Sequence, residues 1–258
     1  SLLTNVSTSG VPAWTDPQRA LQLAVLELIE RDAFLRHWIA RRCPPSICES
    51  TLPAEALIRL RSLRETGARV VVSRLDDAPV PVFTVFVQDA ARPYTAVTAA
   101  AGFEQEGALL KALDEAEGRL LHALEYPAQP LRSARQINGI ADICRYYQTK
   151  RFFRQADFYA AGAAAQVFGE GAFSRDWPGL EQRLAQAGRP VLAVDVTTDG
   201  AAIHQGRAKL HVVRAIVPGL IPIWFHGGLE PAGLEAFRAA QGSNAPRRHH
   251  PFPIHPFT

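Results

Sequence analysis

Methionine is absent from this chain, cysteine is scarce, and no glycine-rich phosphate loop occurs in it. Each absence narrows the reading. Without methionine there is no initiator residue, and Leu2, Leu3 and Val6 already read as a strand, so the chain looks like a piece of a longer polypeptide cut inside a fold. Three cysteines, an odd count, argue against a disulfide framework and for a reducing cytoplasm. Cys43 and Cys48 flank Pro44-Pro45 with no second Cys/His pair nearby at zinc spacing, and they read as structural. No apolar run approaches the roughly 18 residues that span a bilayer, and no basic segment precedes an apolar one as in a signal peptide. A net charge of +3 is too small to argue for nucleic acid. The clearest basic cluster, Arg247-Arg248-His249-His250, lacks interleaved aromatics. Gly-x-x-x-x-Gly-Lys-Ser/Thr, Gly-x-Gly-x-x-Gly, Gly-x-Ser-x-Gly and His-Glu-x-x-His are all missing. If a nucleotide binds here, carboxylates, a metal and arginines must hold it.

What is present fits a globular protein. The 258 residues are 47% hydrophobic and 21% charged, enough for a substantial core. Asp16 or Thr15 caps a long helix over 16–38, with Pro17 at its first position. A helix over 54–65 stops at Gly67, and strands follow at 69–75, 81–88 and 94–101. A helix over 106–124 carries a core stripe of Leu109, Leu113, Ala116, Leu120 and Leu124, with Glu115, Arg119 and His122 beside it. A proline loop at 127–134 leads to helices expected at about 135–148 and 152–166. Helix 178–187, Gly188, strand 190–196 and strand 209–217 then repeat the earlier order. The expectation is an α/β (α+β) fold of mixed sheets flanked by helices, with a weak internal helix-strand-strand repeat.

The first helix is the most informative stretch. At about 100° per residue, Glu27, Glu30 and Arg31 fall on one narrow face with Ala20, Leu23, Phe34 and Trp38. Gln18, Gln22, Asp32 and Arg36 point the other way, as a solvated face should. A charge on an apolar stripe must be paired or must hold a metal. Glu27 and Arg31 alone have the spacing of an ordinary helical ion pair. Glu30 adds a second carboxylate that one arginine cannot neutralise, whereas a hard cation such as Mg2+ could.

These residues resemble a known family. Leu26-Glu27-Leu28-Ile29-Glu30-Arg31-Asp32-Ala33, preceded by Thr8-Ser9-Gly10, is similar to the second ATP-binding motif of YcaO proteins, which ends Glu-x-x-Glu-Arg. Ala108 through Arg119 resembles the family's later helix, and Val212 through Leu220 resembles the strand and turn near its C-terminus. Pro251-Phe252-Pro253-Ile254-His255-Pro256-Phe257-Thr258 is similar to the proline-rich ending of azoline-forming YcaO cyclodehydratases. The resemblance implies that residues 1–241 are the C-terminal portion of a YcaO-like domain, that 242–258 form its proline-rich tail, and that an upstream half supplies further ATP and metal ligands.

The implied reaction is ATP-dependent cyclodehydration. A Cys, Ser or Thr of a ribosomally made peptide attacks the preceding amide carbonyl, the amide oxygen is phosphorylated by ATP, and loss of phosphate leaves an azoline. By resemblance Glu27 and Glu30 would hold Mg2+, and Arg31, Glu115, Arg119 and Ser9 would contact ATP. The tail residues Pro251, Pro253, His255 and Pro256 would serve catalysis, with His255 a possible contributor to proton transfer. Implied partners are the precursor peptide, a leader-peptide-binding protein and a second copy of the chain, with neither nucleic acid nor membrane, in the cytoplasm. Two other readings stay open: a thioamide- or amidine-forming YcaO enzyme, and a non-catalytic module that binds a peptide or partner.

Overall fold

The computed structural model describes residues 9–125, 131, 133–162, 165–198, 209–226, 230–242 and 254–257. The strand expected around Leu2–Val6, most of the 127–134 loop, Arg247–His250, Pro251 and Pro253 lie outside the described residues. The fold is mixed α/β, as expected, and the described residues form two sheets and no barrel.

Helix α1 (Pro17–Ile39) is the axis of the molecule. Asp16 caps it, its carboxylate accepting from the amides of Gln18 at 3.0 Å and Arg19 at 3.3 Å, and Pro17 occupies the first turn, where a missing N–H costs nothing. On one side α1 packs against a three-stranded sheet of order β1 (Ala13–Trp14), β8 (His211–Ile216), β7 (Leu192–Asp195), all antiparallel. On another it meets a five-stranded sheet of order β5 (Tyr94–Ala101), β4 (Val82–Asp89), β3 (Arg69–Arg74), β2 (Ser46–Ile47), β6 (Ala165–Gln166). Among the named strands of that sheet β2 and β6 pair parallel and the rest antiparallel.

Strand alternation sorts the larger sheet's side chains into two cores. Phe83, Val85, Val87, Ala96 and Ala100 pack with Leu60 and Leu63 of α2 (Ala54–Glu65) and with Leu109, Ala112 and Leu113 of α3 (Gln105–Glu125). Val82, Phe86, Val97 and Ala99 belong with Phe34 and Trp38 of α1. Thr98, buried on the α3 side, satisfies its hydroxyl by donating to the Ala112 carbonyl at 2.8 Å. The repeated order is also present: α2-β3-β4 and α5 (Trp177–Gln186)-β7-β8 are each a helix followed by an antiparallel hairpin.

Two expectations fail. The helix expected over about 135–148 is a short 3-10 turn and then α4 (Ile140–Tyr147), separated by Ile137, Asn138 and an extended Gly139. The helix expected over 152–166 is a 3-10 segment, Phe153–Ala160, followed by β6. The Phe153 carbonyl is taken by the Thr95 hydroxyl at 2.6 Å and the Gln88 amide at 3.2 Å, so it is engaged by the sheet. Nor is the Asp32/Arg36 side of α1 solvated. Asp32 is buried, accepting from the Ile221 amide at 2.8 Å and from Arg36 at 2.8 and 3.0 Å. α1 is apolar or paired nearly all the way round because it lies between layers.

Candidate active site

The site is built where α1 and α3 face each other. Ser9 and Gly10 turn the chain into β1, and Gly10 adopts φ +67°. A Cβ there would come within 3.1 Å of the Leu28 side chain and 3.2 Å of the Ala215 carbonyl, so glycine is required both by conformation and by space. The Gly10 amide donates to Glu27 Oε2 at 3.0 Å. Glu27 Oε1 lies 2.6 Å from Arg31, whose other terminal nitrogen donates to the Ser9 hydroxyl. Arg31 Nε is buried and finds no hydrogen-bond partner among the described residues.

Glu30 sits deeper, 7% exposed, with one carboxyl oxygen accepting from the Ala101 amide at 3.2 Å. Burial pushes its pKa up to about 8, and the Glu115 carboxylate adds to the rise. Lys111 and Arg31 oppose the rise, and Glu27 contributes to it. Glu115 is likewise raised, chiefly by burial, although Lys111 lies 3.9 Å away. Near neutral pH the pocket therefore holds a proton on Glu30 that a cation could displace.

The cavity between these groups measures about 660 Å³. Glu27, Glu30 and Arg31 form one wall, and Lys111, Glu115 and Arg119 of α3 form the other. Leu23 and Leu26 of α1, Ile140 of α4, Phe225 and Phe257 supply apolar lining. Three carboxyl groups and three cations around a space of this size fit a ligand combining a hard cation with phosphate oxygens. Among the described residues no group of three His, Cys, Asp or Glu could hold a metal ion by itself. Two protein carboxylates with phosphate oxygens are the usual coordination of Mg2+, so the donor set fits that cation in its nucleotide-bound form.

Of the residues singled out in the sequence, Glu27, Glu30, Arg31, Glu115 and Arg119 meet on this cavity, and Ser9 stands behind them on Arg31. His255 does not line it. Its ring is fully buried among Phe34, Trp224, Phe225 and Phe257, with Nε2–H donating to the Trp224 carbonyl at 2.8 Å, and burial lowers its pKa to about 4. Pro256 is also outside the lining; its carbonyl accepts from the Val97 amide at 3.0 Å. The tail reaches the cavity through Phe257 instead, which pairs with Val97 on the β5 edge. Lys111, Phe225 and Phe257 were missed. Only Lys111 had a readable signal, one turn before Glu115 on the same face.

The family model for YcaO cyclodehydratases, described as ATP- and Mg2+-binding, matches residues 2–221. No curated protein sequence matches. Among solved structures, a heterocyclase in complex with substrate and cofactor superposes with TM-score 0.67 and 19% identity, over 88% of this chain and 30% of that one. YcaO from Methanopyrus kandleri bound with AMPPCP and Mg2+ gives 0.63 and 21%, over 85% and 58%. The E. coli microcin synthetase McbBCD complex with pro-MccB17 bound gives 0.58 and 13%, over 87% and 56%. At such identities these likenesses establish a shared fold, and the chain spans 30–58% of the lengths of these structures. The family match, covering most of the sequence, decides membership: the chain belongs to the YcaO family, whose members bind ATP and Mg2+. Among the described residues no helix is long and apolar enough to cross a membrane.

Proposed function

We propose that this chain is the C-terminal portion of an enzyme that converts Cys, Ser or Thr of a ribosomally made peptide into an azoline, using ATP. The observation that carries the reading is the meeting of Glu27, Glu30 and Arg31 with Lys111, Glu115 and Arg119 across one cavity that Phe257 of the tail helps to wall. ATP supplies the phosphoryl group that turns a poor leaving group, the amide oxygen, into a good one. Glu27 and Glu30 hold Mg2+. Arg31, Lys111 and Arg119 offer charge-assisted hydrogen bonds to phosphate oxygens, and the unmatched Arg31 Nε is a donor in place before any ligand arrives. The Gly10 amide and Ser9 hydroxyl fix the Glu27–Arg31 pair, so the charges need not reorganise. Phe225 and Phe257 limit water at the tail side. A leader-peptide-binding partner is part of the proposal, since the McbBCD likeness is to a complex with a pro-peptide bound.

The test is mass spectrometry of peptide treated with the full-length protein, its partner, ATP and Mg2+. Loss of one water per modified residue supports the proposal, and Glu30→Gln should abolish it. Exchange of oxygen for sulfur would assign a thioamide-forming enzyme instead. An unchanged peptide with no ATP hydrolysis would leave a binding module.

A further inference from the structure

We infer that Tyr147 is the positioning residue of the tail, its hydroxyl setting the depth at which Ile254–Phe257 seat and so delivering Phe257 to the cavity wall. The inference rests on the reading above that this cavity is the reaction site.

Proline deprives the tail of donors: Pro256 has no N–H and cannot join a regular ladder. Its seating therefore depends on groups brought to it. Three elements bring them. The Val97 amide on β5 donates to the Pro256 carbonyl at 3.0 Å. His255 Nε2–H reaches the Trp224 carbonyl at 2.8 Å. The Tyr147 hydroxyl donates to the Ile254 carbonyl at 2.6 Å, a short bond and the first of the three along the described tail. Tyr147 is fully buried, and burial raises its ionisation well above the ordinary tyrosine range, so it stays an O–H donor.

Helix α4 links this bond to the cavity. Ile140 at its first turn lines the cavity, and Tyr147 at its last residue holds the tail. Eight residues at about 1.5 Å each make a short strut between the two. The neighbouring Tyr146 is a built-in control. Its hydroxyl bonds Gln155 at 3.1 Å, away from the tail, on the same turn of the same helix.

The experiment compares wild type, Tyr147→Phe and Tyr146→Phe in the full-length protein. Hydrogen exchange of the tail is read first, then affinity for a non-hydrolysable ATP analogue with Mg2+, then kcat and KM for azoline formation. In Tyr147→Phe, tail amides should exchange about tenfold faster, as loss of one buried hydrogen bond implies. Analogue affinity and KM for ATP should be unchanged while kcat falls about as far. Tyr146→Phe should match wild type on every readout. Unchanged tail exchange in Tyr147→Phe overturns the inference, as does an equal effect of Tyr146→Phe. So does a parallel loss of analogue affinity and melting temperature, which would mark a general packing role. If wild type makes no azoline, the functional reading fails, while tail exchange in the same variants still decides the anchoring.

Discussion

Helix α1 carries two ion pairs of identical spacing on different faces, and they do opposite work. Asp32 and Arg36 form a closed set: the carboxylate accepts two bonds from Arg36 and one from the Ile221 amide, and Arg36 also reaches the Gly219 carbonyl. The pair fastens the helix to the turn that follows β8. Glu27 and Arg31 form an open set. Arg31 Nε has no described partner, and Glu30, one residue before it, is held as an acid rather than a carboxylate at neutral pH. A structural pair uses up its hydrogen-bonding capacity, whereas a binding pair leaves some in reserve. That reserve, not burial or spacing, separates the two.

The contrast can be tested directly. Asp32→Ala strands a guanidinium and an amide in the interior and should destabilise the fold by about 3–5 kcal/mol in chemical denaturation. Nucleotide affinity per folded molecule should hardly move. A cost below about 1 kcal/mol would erase the distinction. Glu30→Gln should do the reverse, costing no metal-free stability at neutral pH and raising it toward the alkaline end, while weakening Mg2+-nucleotide binding at least tenfold by calorimetry, about the value of a charged hydrogen bond.

The same residue sets a pH signature. Its pKa is about 8 in the fold against an ordinary 4.5, so between those values the folded state binds the extra proton. The Glu30 contribution to metal-free stability is therefore complete below pH 4.5 and is lost as pH rises through about 8. Glu30→Gln should flatten that slope in denaturation series across this window, and Mg2+-nucleotide should bind more tightly at the alkaline end, with proton release. Gly10→Ala, strained at positive φ and crowded by Leu28, should cost about 1–2 kcal/mol and loosen the Glu27 bond. The weakest effect belongs to a third pair of the same spacing, Glu55–Arg59 on the outer face of α2, where Glu55→Ala should cost under about 1 kcal/mol and fade with salt.

These pairs also show how far the amino-acid order could be read. Period and caps announced α1, α2, α3, α5 and most strands to within a residue or two, because those elements obey local rules: Asp16 before Pro17, Gly67 after α2, Val and Phe alternating or continuous in 69–75 and 81–88. The acidic face of α1 was legible because two carboxylates stood on an apolar stripe, whereas Glu115 and Arg119 were joined to it only through the family resemblance. Asp32 was misread as solvated, since its partner amide at Ile221 lies 189 residues away and no local pattern encodes it. Residues 152–166 were misread because β4 and β5 capture the Phe153 carbonyl, again a distant competitor for a backbone group. Phe257 and Tyr147 were invisible for the same reason: their roles exist only once the tail is laid on β5.

The cavity takes lining from Pro12 near one end of the sequence and from Phe257 near the other. Closing such a pocket joins segments more than two hundred residues apart, a long loop whose closure carries an entropic cost. A proteolytically clipped product stopping short of Ile254 would lose this wall and uncover the part of the Phe34 ring on which Phe257 packs. Cleavage before Ile254 is thus expected to disarm the pocket while leaving its charged walls in place.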